Sequence, residues 1–274
     1  MPAKPLSVKE LEDIAKRMRR NILTMISRAA SGHPGGSLSA VEIVTTLYFH
    51  VMKHDPSDCN WAGRDRFVLS KGHAAPLLYA VLAEWGYIAK EELITLRQID
   101  SRLQGHTECR LVPGIEMSAG ALGQGLSFSI GVALAARLNN ESHRVYTLMG
   151  DGECDEGQVW EAAMAGAHYK LDNLTAIIDN NGVQLDGFNK DIMNIEPLGR
   201  KWEAFGWHVI EADGHNIKQL IEAFKQAGQV KGQPTAIIAH TVKGKGVSFM
   251  ENNPDWHGKA PTPEELGRAL RELE

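Results

Sequence analysis

The sequence predicts an α/β protein with a mostly parallel sheet and helices on both of its faces. In the second half of the 274 residues, short apolar segments alternate with longer segments of helical periodicity. Such alternation is typical of β-α-β units, whose strands lie parallel. The apolar segments are continuous runs, as strands buried on both faces require. No linker, repeat or change in composition divides the chain, so we expect one domain over residues 1–274.

Composition and charge narrow the class of protein. The chain is 43% hydrophobic and 23% charged, and its net charge of −5 gives no basic surface for a nucleic acid. No apolar run approaches the ~18 residues of a membrane helix. The charged N-terminus lacks the apolar core of a signal peptide, and the three cysteines form neither a disulfide framework nor a zinc pair. We therefore expect a cytoplasmic protein without nucleic-acid or membrane partners.

The first half of the chain is predicted to contain four helices and one strand. Apolar positions at helical spacing indicate a helix over residues 7–30, which Gly32 and Pro34 end, so that "SGHPGGS" is a loop. A buried helix (38–52), a strand (65–70), a helix after "KGHAAP" and a helix from residue 126 follow. Residues 99–125 are rich in glycine and proline, and loops of that length are usually functional or disordered.

The second half alternates more regularly. The predicted strands are residues 144–150, 173–181, 207–213 and 234–241, and the predicted helices are residues 157–171, 196–206 and 217–228. Three unusual segments follow these strands: "GDGECDEG", "DNNGVQLDG" and "HTVKGKG". Ligands of parallel sheets bind beyond the carboxyl ends of strands, so these segments are candidate binding loops.

Two of these segments carry candidate metal ligands. Asp151 and Asn181 lie 30 residues apart, the length of one β-α-β unit, so neighbouring strands would bring both to one edge of the sheet. Their oxygens suit Mg²⁺ or Ca²⁺, and Mg²⁺ completes its shell with phosphate oxygens and water. Gly150 and Gly152 would let the backbone approach a phosphate. Gly-Asp-Gly and Asn-Asn-Gly are also common turn sequences, so the spacing, rather than either motif alone, indicates the metal site.

Motifs of several other enzyme classes do not occur in the sequence. The chain contains no GxxxxGK[ST], GxGxxG, HExxH or GxSxG motif. The order of glycines in "GALGQG" differs from that of the dinucleotide motif. An ATPase, a Rossmann dehydrogenase, a zinc protease and a serine hydrolase are therefore disfavoured.

Four histidines form a second candidate group. His33, His73 and His106 each follow a glycine in a predicted loop, and His257 precedes one. Glycine lets other groups approach an imidazole, which suits proton transfer and hydrogen bonds to sugar hydroxyls. A lone loop histidine is usually structural, but four with the same glycine pattern indicate a site. The other histidines are expected to be structural: His50, His54, His143, His168, His208, His215 and His240.

Several segments occur in an order typical of one enzyme family. "GDGECDEG" followed by "NLTAIIDNNGVQLDG" matches the GDG…N motif of thiamine-diphosphate enzymes. "SGHPGG", "RDRFVLSKGHAAPLLYA", "GHTE…PG…GALGQG" and "WHGKAP" are similar to segments of transketolases specifically. The chain thus resembles the transketolase family from about residue 7 to about residue 260. The resemblance implies the thiamine-diphosphate-binding fold and its diphosphate domain.

The resemblance also implies a role for each candidate residue. It implies that Mg²⁺ (or Ca²⁺) is bound by Asp151, Asn181 and the Val183 carbonyl. It implies cofactor contacts for His73, Gly120, Leu122, Gly152, Glu156, Glu161 and Asn181, and catalytic roles for His33, His73, His106, Glu156 and His257. Glu156 and Glu161 would lie in a carboxylate network at the subunit interface. We expect Glu153 and Asp155 to face solvent, and Cys154 is given no role.

The resemblance ends where single-chain transketolases continue with two further domains. Those domains supply the glutamate that protonates the aminopyrimidine and most of the groups that bind sugar phosphates. This chain resembles the N-terminal subunit of a split, two-gene transketolase, which implies a C-terminal partner subunit in an α2β2 assembly. The implied reaction is transfer of a two-carbon ketol unit between sugar phosphates, as in the pentose phosphate pathway, by an enzyme active only with its partner.

Three alternatives remain open at this point. An α-type subunit of a 2-oxo acid dehydrogenase shares the cofactor motif, but its substrate needs no row of histidines that bind hydroxyls. A split transketolase dedicated to a specialised sugar pathway would carry the same motifs in this half. A non-catalytic scaffold is the third alternative, and the presence of every expected ligand residue weighs against it.

Overall fold

The computed structural model describes residues 6–185 and 187–274. Its centre is a parallel sheet of five strands in the spatial order β1-β2-β3-β5-β4. The strands are β1 (Arg66–Leu69), β2 (Val145–Gly150), β3 (Leu174–Asn180), β4 (His208–Asp213) and β5 (Thr235–His240). Each coincides with a predicted strand. The domain predicted over 1–274 includes residues 1–5 and 186, which lie outside the described residues.

Helices cover both faces of the sheet. They are α1 (Val8–Ala29), α2 (Pro34–Ser39), α3 (Val41–Thr46), α4 (Ala75–Trp85), α5 (Gln124–Leu138), α6 (Gly157–His168), α7 (Asn189–Ile192), α8 (Leu198–Ala204), α9 (Ile217–Gln229) and α10 (Pro263–Glu272). Successive strand residues point to opposite faces, so Leu148 joins one hydrophobic core and Met149 the other. Helices α1 to α4, α9 and α10 contribute to the first core, and α5, α6 and α8 to the second. The predicted fold class is therefore confirmed.

Helix α1 illustrates how local sequence sets the boundaries of an element. The Ser7 side chain accepts a hydrogen bond from the Glu10 backbone, and the Glu10 carboxylate accepts one from the Ser7 backbone, which forms a capping box. Ala30 adopts a left-handed conformation (φ 49°) and ends the helix. The buried side chains, from Leu11 to Ile26, follow the predicted apolar spacing.

The next helical region differs from the prediction in two ways. Helix α2 begins at Pro34, inside the segment predicted to be a loop, because proline is well suited to the first position of a helix. The single helix predicted over 38–52 is divided into α2, α3 and one π-helical turn, Leu47–Val51. Ser39 Oγ donates to the Gly36 carbonyl (3.2 Å), a side-chain bond that competes with the regular helical pattern where α2 meets α3.

The register of the parallel sheet places the carboxyl ends of all five strands at one edge. Gly150 at the end of β2 pairs with Asp179 in β3, and His240 at the end of β5 pairs with Asn180 in β3 and Asp213 in β4. The residues that follow the strands therefore lie along this edge, with β1 and β4 as the outer strands. Between α4 and α5, the long glycine-rich segment crosses this same edge as a loop after a 3₁₀ helix (Lys90–Thr95).

The C-terminal segment returns to the sheet edge before ending in α10, which periodicity alone did not predict. The Gly244 amide donates to the Gly35 carbonyl (3.1 Å), and a 3₁₀ turn (Pro254–Trp256) places His257 beside the start of α2. Thr262 and Glu265 form a capping box at the start of α10. In the described part of the chain, no helix has both the length and the apolar character that crossing a membrane requires.

Candidate active site

A cavity of about 380 Å³ lies beyond the carboxyl ends of the strands. This is the position where parallel α/β sheets bind ligands. The predicted site residues that line it are His33, His73, His106, Gly120, Leu122, Asp151, Gly152, Glu156, Asn181, Val183 and His257. Glu161 is different, because it lies on α6 with an exposed side chain and does not line the cavity.

Four histidines from separate loops gather in this cavity. The ring centre of His33 lies 5.4 Å from that of His257, 5.6 Å from that of His73 and 5.9 Å from that of His106. The packing depends on glycine, because a Cβ atom at Gly36 would lie 3.0 Å from His73 Nε2. The structure thus brings together the four glycine-flanked histidines that the sequence singled out.

Arg97 lies close to two of these histidines, His33 and His106. Its guanidinium donates to Ser31 Oγ (2.8 Å) and lies 3.4 Å from His33 Nδ1. Burial, together with Arg97, His106 and Lys243, lowers the pKa of His33 to about 4. Burial and Arg97 also lower the pKa of His106. His33 is therefore uncharged near neutral pH, with one nitrogen that donates and one that accepts.

The other two histidines, His73 and His257, are held in the uncharged form by burial and by nearby lysines. Burial, Lys243 and His33 lower the pKa of His257 to about 3. Burial and Lys71 lower the pKa of His73 well below its ordinary value. Because a neutral imidazole can both donate and accept, this pair can hold a hydroxyl or a phosphate oxygen without contributing charge of its own.

Asp151 lies at the end of β2 and is 2% exposed. Its Oδ1 accepts from the Gly152 amide (2.8 Å) and its Oδ2 from the Gly182 amide (2.6 Å). Burial and the nearby Asp179 raise the pKa of Asp151 to about 6. A buried carboxylate in this state is stabilised by a cation, because a bound divalent ion is the strongest local charge available.

Asn181 and Val183 complete a set of oxygen donors that a divalent cation fits. Asn181 Oδ1 accepts from the Val183 amide (3.1 Å), which fixes the side chain beside the cavity. Carboxylate, amide and backbone oxygens are the donors that Mg²⁺ and Ca²⁺ prefer. Within residues 6–185 and 187–274, no three His, Cys, Asp or Glu side chains form a metal-binding group of their own. Ligand oxygens and water would supply the remaining positions.

Gly152 and Gly120 leave room for a group bound against the backbone. A Cβ atom at Gly152 would lie 2.7 Å from Gln184 Cβ, so this close approach of two loops requires glycine. At Gly120 a Cβ atom would meet no atom within 4 Å, and with Leu122 the residue lines the cavity. Backbone amides at such positions are suitable donors for phosphate oxygens.

A buried ion pair, which the sequence did not single out, lies behind the metal-ligand candidates. Lys71 pairs with Asp179, and their side chains are 1% and 0% exposed. Asp179 also accepts from Ser39 Oγ (2.5 Å) and Thr241 Oγ1. Burial would raise the pKa of Asp179, but Lys71 and these hydroxyls hold it below its ordinary value. The only sequence signal was an aspartate inside an otherwise apolar strand.

Lys243 is a second buried cation that the sequence did not single out. Its Nζ donates to the Val183 carbonyl (3.0 Å) and the Gln184 carbonyl (3.1 Å), and it lies 2.9 Å from His257 Nδ1. Burial and Lys71 lower the pKa of Lys243 to about 8. The Val183 carbonyl keeps a second lone pair, which remains available for a metal ion. The available signal was the position of "HTVKGKG" after a strand.

The prediction that Glu153 faces solvent is wrong. Glu153 is 2% exposed, and its carboxylate accepts from the Gly123 amide (2.9 Å), the Gly150 amide (3.1 Å) and Ser70 Oγ. Burial raises its pKa despite these bonds. The turn Gly152–Asp155 is a 3₁₀ helix that directs Glu153 inwards, whereas Asp155 is exposed as expected.

The two glutamates predicted at a subunit interface lie on one side of the cavity. Glu156 is the residue before α6 and is exposed at the cavity wall. Glu161 lies about one helical turn further along α6, also exposed. Both side chains are exposed, and their place at a subunit interface stays a prediction.

The fold and the site define an α/β domain that binds a ligand at the carboxyl edge of its sheet, between oxygen donors and a group of histidines. Comparison with known families is more specific. The family described as "Transketolase, thiamine diphosphate binding domain" matches residues 11–273. The chain therefore belongs to the thiamine-diphosphate-binding domain family of transketolases.

Two similar proteins are themselves subunits of larger enzymes. The chain is 46% identical to a subunit of the apulose-4-phosphate transketolase of Actinobacillus succinogenes, over 98% of this chain and 97% of that protein. It is 45% identical to the 6-deoxy-6-sulfo-D-fructose transketolase subunit SqwG of a Clostridium species, over 97% of this chain and 96% of that protein. Both alignments cover nearly the full length of each protein.

Single-chain transketolases match over part of their length. Human transketolase is 44% identical over 95% of this chain, which corresponds to 41% of the human protein. The crystal structure of transketolase from Campylobacter jejuni matches with a TM-score of 0.93 and 33% identity, over 98% of this chain and 43% of that one. The chain thus spans about two fifths of the single-chain transketolases that it matches.

These matches confirm the predicted family and the predicted kind of subunit. The chain corresponds to the N-terminal subunit of a split transketolase, and its enzyme class is that of a transferase. The family description names thiamine diphosphate, which confirms the predicted organic cofactor.

Proposed function

We propose that this chain anchors thiamine diphosphate together with Mg²⁺ and, with a C-terminal partner subunit, transfers a two-carbon ketol unit from a ketose phosphate to an aldose phosphate. The observation that carries this proposal is the meeting of Asp151 and Asn181 with four neutral histidines in one cavity.

The oxygen donors would hold the metal and, through it, the diphosphate. Asp151, Asn181 and the Val183 carbonyl are the proposed ligands of Mg²⁺, with Ca²⁺ as the alternative ion. The Gly152 backbone, with His73 and Lys243 nearby, would receive phosphate oxygens, and Gly120 and Leu122 would contact the cofactor from the loop before α5. The bound cofactor supplies the stabilised carbanion that cleavage of a carbon–carbon bond requires.

The histidines would orient the sugar and move protons at its hydroxyls. His33, His106 and His257 line the cavity, and their lowered pKa values keep them uncharged near pH 7, with a free nitrogen that can accept a hydrogen bond from a hydroxyl. An anionic ligand bound beside them would raise these pKa values towards the working pH, where an imidazole can take a hydroxyl proton as the substrate carbonyl forms. Glu156 and Glu161 are proposed to reach the partner side of the cofactor.

An exposed apolar stripe supports the proposal of a partner subunit. Along α5, Phe128, Gly131, Ala135 and Leu138 are exposed at helical spacing, and Phe128 and Leu138 are 39% and 82% exposed. Met164 on the neighbouring α6 is 54% exposed. Apolar residues aligned on adjacent helices are typical of a surface that another chain covers. We propose that the C-terminal subunit packs here, in an α2β2 assembly with sites between unlike subunits.

The identity of the sugar is a separate part of the proposal. Two relatives that align over their whole length are named for apulose 4-phosphate and 6-deoxy-6-sulfo-D-fructose, rather than for the pentose phosphate pathway. This favours a specialised sugar pathway over pentose phosphate metabolism.

We further propose one domain over the whole chain, because both hydrophobic cores share one sheet. The proposed location is the cytoplasm, because all three cysteines are free, as is usual in a reducing compartment.

Reconstitution with the partner tests the proposed function. The chain alone is expected to be inactive with thiamine diphosphate, Mg²⁺ and ketose phosphates, because the group that activates the cofactor is proposed to come from the partner. Addition of the co-purified C-terminal subunit should produce ketol transfer, measured by chromatography of the product sugars. Asp151→Asn, which removes the charged metal ligand, should abolish that activity in the reconstituted enzyme.

The same assay separates this function from its rivals. Transfer by the chain alone would contradict the split-enzyme proposal. Decarboxylation of pyruvate in place of cleavage of xylulose 5-phosphate would favour an α-type subunit of a 2-oxo acid dehydrogenase. Absence of calorimetric thiamine diphosphate binding, with Mg²⁺ and the partner present, would favour a non-catalytic scaffold. Comparison of apulose 4-phosphate, a sulfofructose and xylulose 5-phosphate as donors decides between sugar pathways.

A further inference from the structure

The carboxylate of Glu153 joins three separate segments of the chain. Its Oε2 accepts from the Gly150 amide at the end of β2 (3.1 Å), and its Oε1 accepts from the Gly123 amide at the start of α5 (2.9 Å). Oε1 also accepts from Ser70 Oγ, which follows β1. A glutamate that is 2% exposed and has all three donors in place is part of the architecture of the site.

Ser70 extends this connection further into α5. Its Oγ, which donates to Glu153, also accepts from the Gly125 amide (3.1 Å). The packing is close, because a Cβ atom at Gly125 would lie 2.3 Å from Ser70 Oγ. Two orphan amides in the first turn of α5, those of Gly123 and Gly125, therefore find their acceptors in Glu153 and Ser70.

The joined segments form two walls of the cavity. The loop before α5 carries Gly120 and Leu122, and the end of β2 carries Asp151 and Gly152, which all line the cavity. Glu153 lies between the two walls. The distance between the walls decides whether one ligand can contact both, so a fixed connection between them has a direct consequence for binding.

We propose that Glu153 is a positioning residue that, together with Ser70, holds the loop of Gly120 and Leu122 in the binding geometry before the cofactor arrives. The proposal rests on the proposed function, because it takes thiamine diphosphate with its metal to be the ligand between the walls. Glu153 itself need not touch the cofactor. Its contribution is to hold this loop in one conformation, so that the loop loses less conformational entropy when the cofactor binds.

The connection requires a carboxylate rather than an amide. A carboxylate is an acceptor at both oxygens, whereas a glutamine offers one oxygen and a nitrogen that can only donate. In Glu153→Gln, the nitrogen would face the amide of either Gly150 or Gly123. One of these buried donors would lose its partner while the side chain kept its size and shape.

The experiment compares three variants in the enzyme assembled with its partner subunit. Glu153→Gln and Ser70→Ala remove the two parts of the connection, and Glu203→Gln, an exposed residue on α8, is the matched control. Hydrogen exchange of residues 119–127 is measured without cofactor. The Kd of thiamine diphosphate in the presence of Mg²⁺ is measured by calorimetry, and kcat is measured at saturating cofactor.

We expect faster exchange in residues 119–127 for Glu153→Gln and Ser70→Ala, and a Kd raised about 10–100-fold, the range typical for loss of a residue that orients a ligand-binding group. kcat at saturating cofactor should change much less than Kd, because the bound cofactor restores the loop. A merely structural defect would instead lower the melting temperature and kcat without a selective change in Kd. Glu203→Gln should match the unmodified enzyme in all three measurements.

Two results would overturn the proposal. One is unchanged exchange in residues 119–127 together with an unchanged Kd in either variant. The other is a loss of kcat at saturating cofactor as large as the change in Kd. If Glu153→Gln fails to assemble with the partner subunit, the same measurements on Ser70→Ala, which keeps the carboxylate, test the proposal. Failure of the unmodified enzyme to bind thiamine diphosphate would overturn the proposed function as well, and the exchange measurement would still report whether Glu153 holds the loop.

Discussion

Lys71, Lys243, Asp151 and Asp179 are charged side chains that lie almost wholly inside the protein. Burial of a charge is costly unless partners compensate for it. Lys71 and Asp179 form an ion pair, whereas in the described part of the chain Lys243 is hydrogen-bonded to backbone carbonyls and His257, and Asp151 to backbone amides. The shifted pKa values of Lys243 and Asp151 express this incomplete compensation, which a bound ligand and metal would complete.

The histidine pKa values lead to a prediction about pH. The folded-state pKa values of His33 (about 4) and His257 (about 3) lie below the ordinary value of 6.5. Between the folded-state pKa values and 6.5, the unfolded chain binds more protons than the folded chain. The free energy of unfolding should therefore fall as the pH is lowered from 6.5 towards 4. Above pH 6.5 these two groups should have no effect on stability.

Nuclear magnetic resonance of the imidazole nitrogens checks this prediction. At pH 5, the signals of His33 and His257 should still be those of neutral rings, with His33→Asn and His257→Asn used for assignment. A titration midpoint near 6.5 for either ring would show that Arg97 and Lys243 do not act on it as inferred.

Gly152 leads to a prediction about close approach. In Gly152→Ala, the new methyl group would lie 2.7 Å from Gln184 Cβ, so one of the two loops must move. Overpacking of this kind destabilises by about 1–3 kcal/mol. We expect a lower melting temperature of the assembled enzyme and weaker cofactor binding by calorimetry. Gly157→Ala is the control, because a Cβ atom there would meet no atom within 4 Å and should change stability by about 0.5 kcal/mol or less. Equal behaviour of the two variants would refute the prediction.

At the scale of elements, the strands were predicted correctly, whereas the sequence pattern made no prediction of their full spatial order. Apolar runs locate β1 to β5, because a strand buried on both faces needs them. The placement of β5 between β3 and β4 depends on how the helices pack, which local sequence does not record. The start of α2 at Pro34 was missed because its glycines indicate a loop, while their actual use is close packing against His73 and Trp256.

The sequence indicated the cavity residues that directly follow strands or stand beside glycine. It did not indicate those whose place in the cavity depends on the direction in which the side chain points. Asp151 and Asn181 could be placed from their spacing alone. Glu153, two residues after Asp151, could not, because the 3₁₀ turn that directs it inwards has no clear sequence signature. Lys71 and Lys243 look like surface residues in sequence, since lysine is almost never fully buried.

The apolar stripe on α5 leads to a prediction about assembly. Phe128→Glu places a charge at the centre of the proposed interface, where it would be desolvated without a partner. The variant chain should fold normally and co-purify poorly with the C-terminal subunit, with a Kd raised at least tenfold by surface plasmon resonance. Glu203→Gln on α8 should bind the partner normally. Unimpaired binding of Phe128→Glu would place the interface elsewhere on the molecule.

At the scale of the whole molecule, the two sides of the sheet differ in coverage. One core is packed by six helices, α1 to α4, α9 and α10, while the other lies under α5, α6 and α8 and leaves apolar side chains exposed on α5 and α6. If the partner covers this thinner side, the smallest active unit contains both chains. We expect sedimentation equilibrium to give a mass of two copies of each. A fully active complex of one copy of each would contradict the α2β2 arrangement.

The buried charges around the cavity also determine how its ligands depend on each other. Two lysines, Lys71 and Lys243, lie among three carboxyl groups, those of Asp151, Asp179 and Glu153. A diphosphate entering alone would bring negative charge to these carboxyl groups, and a divalent cation entering alone would bring positive charge to these lysines. Entering together, they leave the electrical balance nearly as it was. Each should therefore raise the affinity for the other by the same factor, so that chelation of the metal would release the organic cofactor from an otherwise intact protein.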